Sequence, residues 1–182
     1  MIRTKKSNDW AWGIIAAISD GLTAYMTLQA RTGLSPAYSE YLLYDPVVRI
    51  SKHNGWIPLS EYAVETENRK GDKKRIDFLL VNKKNKRQAL AIELKWFVSS
   101  SKKVKIAGDL NKLSNYKPEK GNAKVRRFLL LAGAHAVRPN GKAEKRPWPK
   151  LMPEIDQKFF YHTIYRANRT RYGVTVFEVT AK

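Results

Sequence analysis

The chain contains no cysteine and only three histidines, His53, His135 and His162. Disulfides, zinc–thiolate sites, iron–sulfur clusters and cysteine nucleophiles are therefore excluded. A histidine-rich metal site lacks donors, so any metal would be a hard ion held by carboxylate oxygens. Negative charge is scarce as well: 16 Asp+Glu stand against 35 Lys+Arg in 182 residues, a formal net charge of +19. Long apolar runs are also missing. The longest, residues 10–18 and 128–137, reach about half of the ~20 residues that span a bilayer, so no membrane partner is expected.

What is present suits a folded domain. Hydrophobic residues make up 43% and aromatic residues 11%, which argues against a disordered basic tail. A folded chain this basic repels itself, and the charge points to a polyanionic partner, nucleic acid above all. Arg3, Lys5 and Lys6 before the first apolar run make a weak signal-peptide pattern. The helical period, however, runs on through Ile14, Ile18, Leu22, Tyr25 and Leu28. The expectation is one helix over residues 8–31, with Asp20-Gly21 as a point where it could break, in a cytoplasmic protein. Residues 1–34 are read as an N-terminal helical extension and 35–182 as the main domain.

Ser35-Pro36 opens a second helix that runs through Glu40 toward Tyr44, with Asp45-Pro46 ending or bending it. Asn54-Gly55 is a turn. Three strands follow, at 59–67, 75–81 and 89–98, separated by polar turns and spaced as a meander. A helix is signalled by Ile106, Leu110, Leu113 and Tyr116, then a strand at 125–132, and a closing strand at 174–180. The fold class is α/β: a sandwich with a central mixed sheet flanked by helices.

Two of the scarce acids sit inside the most apolar strands. Asp77 interrupts residues 76–81, and Glu93 interrupts residues 90–96, with Lys95 two positions on. The strand period places Glu93 and Lys95 on one face, ~7 Å apart, with Ala89 and Ala91 leaving room beside them. If the meander pairs these strands, Asp77 converges on Glu93. Two carboxylates 4–5 Å apart repel by ~3–4 kcal/mol at an effective dielectric near 20, so a cation or shared proton is needed. A buried Glu93–Lys95 ion pair, with Asp77 solvated, is the plainer alternative. The acid-x-Lys triplet by itself is uninformative, because it also occurs at Asp72-Lys73-Lys74 and Asp156-Gln157-Lys158. Only the Glu93 triplet lies in an apolar strand that follows another strand with an acid at its middle.

Arg75-Ile76-Asp77-Phe78 and Ala91-Ile92-Glu93-Leu94-Lys95-Trp96 resemble the PD-(D/E)XK nuclease superfamily, the restriction-endonuclease-like fold. Ser39-Glu40-Tyr41-Leu42-Leu43 fits the family's helix before the meander, and residues 104–116 fit the helix after it. The likeness covers about residues 35–134, and Ile76 stands where the name-giving Pro would be. It implies that Asp77, Glu93 and the Leu94 carbonyl hold Mg²⁺, with Mn²⁺ as a substitute. It implies further that Lys95 orients or deprotonates the attacking water, and that Glu40 completes the metal site. Glu61, Glu65 and Glu67 are rivals of Glu40.

Arg69, Lys70, Lys73 and Lys74 near the first turn, and Lys102, Lys103, Lys105 and Lys112 near the second main helix, are candidates for phosphate contacts. Lys83, Lys84, Lys86 and Arg87 form a further basic turn, and Asp109 with Lys112 an accessory pair near the site or a solvated helix face. Trp148, between two prolines, either stacks on a base or packs a loop. The leading expectation is a Mg²⁺-dependent endonuclease acting on DNA more than RNA, alone, as a homodimer or in a larger nucleoprotein assembly. The alternative is a catalytically inert nucleic-acid-binding or assembly subunit on the same fold. A basic structural RNA-binding protein fits the embedded strand acids least.

Overall fold

The computed structural model describes residues 9–33, 40–63, 75–98, 106–117, 124–136, 157–167 and 170–181. Helix α1 (Trp12–Arg31) leads to a single 3-10 turn (Glu40–Leu43) and α2 (Tyr44–His53). Then come β1 (Trp56–Ala63), β2 (Arg75–Asn82), β3 (Gln88–Val98), α3 (Ala107–Asn115), β4 (Lys124–Ala136), β5 (Gln157–Ala167) and β6 (Thr170–Val179). The six strands form one sheet in the order β1-β2-β3-β4-β6-β5. The fold is α/β with a mixed sheet: β3 and β4 are parallel and every other pairing is antiparallel. A parallel pair needs a crossover, and α3 supplies it.

Each face of the sheet carries its own apolar layer. On one side Phe78, Leu80, Leu90, Ile92, Leu94, Phe128, Leu130, Val174 and Val176 pack under Ile14, Ile15, Ile18, Leu22 and Met26 of α1 and Val47 of α2. On the other, Leu79, Ala89, Ala91, Leu129 and Leu131 pack under Leu110 and Leu113 of α3 and under Tyr116. Central strands covered on both faces are apolar at nearly every position, and β3 and β4 read that way. Burial of Leu110 and Leu113 contributes ~1.5–3 kcal/mol each, enough to fix which side of α3 faces the sheet.

The three-strand meander, the helix after it and the next strand follow the sequence pattern in order. The first strand, however, runs Trp56–Ala63 rather than 59–67, whose last four residues lie outside the described ones. Three further details differ. Helix α1 runs unbroken through Asp20-Gly21. Helices α1 and α2 approach closely at Gly21, where a Cβ would meet the end of the Ile50 side chain of α2. Asp45-Pro46 begins α2 rather than ending a helix, since Pro46 lies in the first turn, where backbone N–H groups have no intrahelical partner to lose. The C-terminal strand β6 is interior, between β4 and β5, so β5 is the edge. Among the described residues, no helix is long and apolar enough to cross a membrane.

Candidate active site

The site forms where β2 and β3 part. Their ladder runs from Val81↔Ala89 to Phe78↔Ile92 and stops there, so Asp77 and Glu93 stand just beyond its last rung. The Leu94 N–H, left without a strand partner on that side, donates to Asp77 Oδ2 at 2.7 Å. A side chain thus replaces a ladder bond, which fixes the Asp77 carboxylate between two strands.

On the other side of β2, the register passes from Ser60↔Phe78 to Tyr62↔Ile76, with Glu61 opposite Asp77. Glu61 has φ +50°, in the left-handed region that costs a side-chain-bearing residue ~1–2 kcal/mol. Tyr44, at the start of α2, joins the two acids: its hydroxyl donates to Asp77 Oδ1 at 2.6 Å and lies 3.1 Å from Glu61 Oε1. One phenolic proton serves two carboxylates. The Tyr44 ring rests on Phe78, 4.6 Å between centroids, which holds the hydroxyl in place.

Helix α3 supplies the remaining groups. Glu93 is only 2% exposed, and Lys112 Nζ lies 2.7 Å from its Oε1 and 2.8 Å from its Oε2. The same ammonium reaches Asp109 Oδ1 at 3.2 Å and the Arg75 carbonyl at 3.3 Å. Lys95 bridges Glu40 Oε1 at 3.1 Å and Asp109 Oδ2 at 3.6 Å. A continuous chain of contacts therefore links Glu40, Lys95, Asp109, Lys112 and Glu93, with Asp77 alongside. The i, i+3 pair of α3 belongs to this cluster rather than to a solvated helix face.

The electrostatics follow from burial. Burial, then the charge of Asp77, pushes the Glu93 carboxyl up to about 8, although Lys112 pulls it back. Burial raises Asp77 too, against the Tyr44 hydroxyl, the Leu94 N–H and the Lys112 charge. Desolvation disfavours the Lys95 ammonium, but Asp109, Glu40 and Asp77 outweigh it and its pKa is raised. Lys112 is raised in the same way, Glu93 and Asp109 outweighing burial. Burial and the neighbouring Asp77 raise the Tyr44 phenol, so it remains a donor.

Of the residues expected from sequence, Asp77, Glu93, Lys95 and Glu40 come together. Leu94 joins through its N–H, and Glu61 joins through Tyr44. Lys112 lies inside the carboxylate cluster. Glu65, Glu67, Arg69, Lys70, Lys73, Lys74, Lys102, Lys103, Lys105 and Trp148 lie outside the described residues. Lys83, Lys84, Lys86 and Arg87 are exposed at the far end of the β2–β3 hairpin, ~20 Å along the strand from Asp77. At that distance they do not flank the acids. Tyr44 carried no sequence signal of its role. Its reach depends on how α2 meets β2.

The cluster fits a hard divalent cation in kind. All its donors are oxygens, and five carboxylates (Glu40, Glu61, Asp77, Glu93, Asp109) face two ammoniums. Glu40 Oε1, Glu93 Oε1 and Asp109 Oδ2 are buried and accept no well-formed hydrogen bond, the lysines beside them being at ion-pair contact. Buried carboxylate oxygens held only by lysine ion pairs are ligands that a divalent cation would take over from the ammoniums. The arrangement is not a ready-made cage: no three Asp, Glu or His among the described residues are grouped as metal ligands. No family model matches the chain, and no curated protein matches its sequence.

Proposed function

We propose that the protein is a divalent-metal-dependent nuclease of the PD-(D/E)XK kind on a restriction-endonuclease-like fold, hydrolysing phosphodiester bonds in DNA more readily than in RNA. The observation that carries this reading is the meeting of Asp77, Glu93 and Lys95 at the point where β2 and β3 separate, in a chain of net charge +19. Asp77 and Glu93 would hold Mg²⁺ with the Leu94 carbonyl, and Glu40 or Glu61 would complete the set. Such an ion, when bound, lowers the pKa of water and neutralises the scissile phosphate.

The protein's own groups divide the remaining work. Lys95, with its raised pKa, is a cation at neutral pH, suited to holding a phosphate oxygen and the charge that grows on it in the transition state. Asp109 and Glu40 hold that ammonium from two sides. Tyr44 and the Leu94 N–H fix Asp77, so its orientation is set before any substrate arrives. The net charge of +19 favours a phosphate backbone as the partner. Nicking of supercoiled plasmid in Mg²⁺ tests the reading. Cleavage should stop in EDTA and in Lys95→Ala, while DNA binding by that variant persists.

One observation favours the second reading, an inert nucleic-acid-binding subunit. Lys112 already sits on Glu93, and both Asp77 oxygens already accept protein donors. That reading expects salt-sensitive DNA binding without cleavage under any divalent ion.

A further inference from the structure

The position of Lys112 goes beyond charge on a helix. Its ammonium lies within 2.8 Å of both oxygens of the most buried acid in the cluster. A second acid, Asp109, is 3.2 Å away on the same helix, and the Arg75 carbonyl is 3.3 Å away. Lys112 is itself half-buried, held by packing of Leu110 and Leu113 into the layer beneath the sheet. A buried carboxylate needs a counter-charge, and here a side chain provides one.

We infer that Lys112 is the resident cation of this site: its ammonium lies on both Glu93 oxygens in the metal-free protein and must swing toward Asp109 before a divalent ion can bind there. The inference rests on the metal-dependent reading above and deepens it. The ammonium lies on both Glu93 oxygens, so a divalent ion brought to the same carboxylate meets its repulsion at short range, and metal and ammonium compete there. The swing is built in. Asp109 and the Arg75 carbonyl already touch the ammonium and remain as partners when Glu93 is given up. Asp109 also contacts Lys95, so a move of Lys112 toward it changes how Lys95 is held between Asp109 and Glu40. Metal arrival and the placement of Lys95 are thereby linked through one carboxylate.

The consequence has a definite sign. Removing one positive charge beside Glu93 favours a divalent ion about twice as much as it favours a proton, because the ion carries twice the charge. Loss of Lys112 therefore strengthens metal binding even though Glu93 then holds its proton more tightly.

Titration calorimetry of the full chain with MgCl₂ at pH 8.5, without nucleic acid, measures this directly. Lys112→Met should bind Mg²⁺ about tenfold more tightly than the parent, ~1.4 kcal/mol. Lys112→Arg, which keeps the charge, should bind like the parent, and Glu93→Gln should bind far more weakly. Should Lys112→Met fail to fold, Lys112→Gln retains a donor for Glu93 and carries the same prediction. Parent binding that the neutral variants leave unchanged or weaken overturns the role of Lys112 and leaves the metal reading standing. No binding by the parent or by any variant overturns both.

Discussion

At the residue scale, the controlling quantity is the cost of charging a buried acid. Glu93 is ordinarily acidic when unfolded and is raised to about 8 in the fold. The fold therefore favours its protonated form, and this contribution is complete below the unfolded pKa. It is lost as pH rises, from about 4.5 to about 8. Asp77, also raised by burial, adds to the same trend. Metal-free protein should thus lose stability between pH 5 and pH 8, by a few kcal/mol. Glu93→Gln should flatten the slope in denaturant melts across that range. An equally steep slope in the variant would place the titration elsewhere.

Much of this chemistry was legible in the residues. Asp77 and Glu93 stand out because a charge in an apolar strand must be compensated, and that needs only the strand period. Glu40 and Lys95 followed from the same pattern and the family likeness. Glu61 stood as a rival of Glu40 and Asp109 with Lys112 as an accessory pair, but their partners, and the role of Tyr44, were not legible. They depend on where two strands part and how two helices lie over the sheet, which are long-range outcomes of packing. The spacing of Asp109 and Lys112 around buried Leu110 and Leu113 placed them beside an apolar face. The acid they would meet was not written there.

At the element scale, the helices differ in what they secure. Helix α3 carries the cation over Glu93, α2 carries the tyrosine over Asp77, and α1 covers the opposite apolar layer. The approach to α1 is tied to the sheet by Arg126 of β4. Its guanidinium bonds both oxygens of Glu178 on β6, at 2.7 and 2.8 Å, and pairs with Asp9 just before the helix. Removing it takes the counter-charge from Glu178 and Asp9 in a half-buried place, although Asp9 still accepts from the Ala11 N–H. Arg126→Ala should cost ~2–3 kcal/mol in urea unfolding. A destabilisation below ~0.5 kcal/mol would show that the α1 attachment rests on apolar packing alone.

The elements also show where local patterns mislead. Pro46 reads as a helix end, because proline usually stops a helix it follows. It is equally compatible with a first turn, and the choice is made by Leu43 and Val47 turning inward together. Gly21 reads as a break. The helix instead runs through it, close against Ile50, and only the pairing of α1 with α2 reveals that. The β2–β3 hairpin needs less long-range information, since its turn is polar and both its strands are apolar, whereas β1, largely exposed, lies at 56–63 rather than 59–67.

At the scale of the whole molecule, the charge is divided in sign. Among the described residues, five acids (Glu40, Glu61, Asp77, Glu93 and Asp109) gather at one seam of the sheet, while Lys83, Lys84, Lys86 and Arg87 project at the other end of the hairpin. A duplex reaching from the seam to that turn would cover about six base pairs' length. Neutralising all four turn residues should lower DNA affinity and reduce the salt slope by up to ~0.9 for each phosphate no longer neutralised. The cleavage rate at saturating DNA should change little, because these groups are ~20 Å from Asp77. Unchanged affinity and slope would mean the DNA path avoids the turn.

The central claim, that a metal-dependent nuclease site lies at this seam, is tested most directly by incubating purified parent protein and Glu93→Ala with supercoiled plasmid in Mg²⁺, Mn²⁺ or EDTA. The parent should nick or degrade the plasmid with either ion and not in EDTA, while Glu93→Ala, still binding DNA, should leave it supercoiled. Metal-dependent cleavage retained by Glu93→Ala, or no cleavage by the parent with either ion, would contradict it.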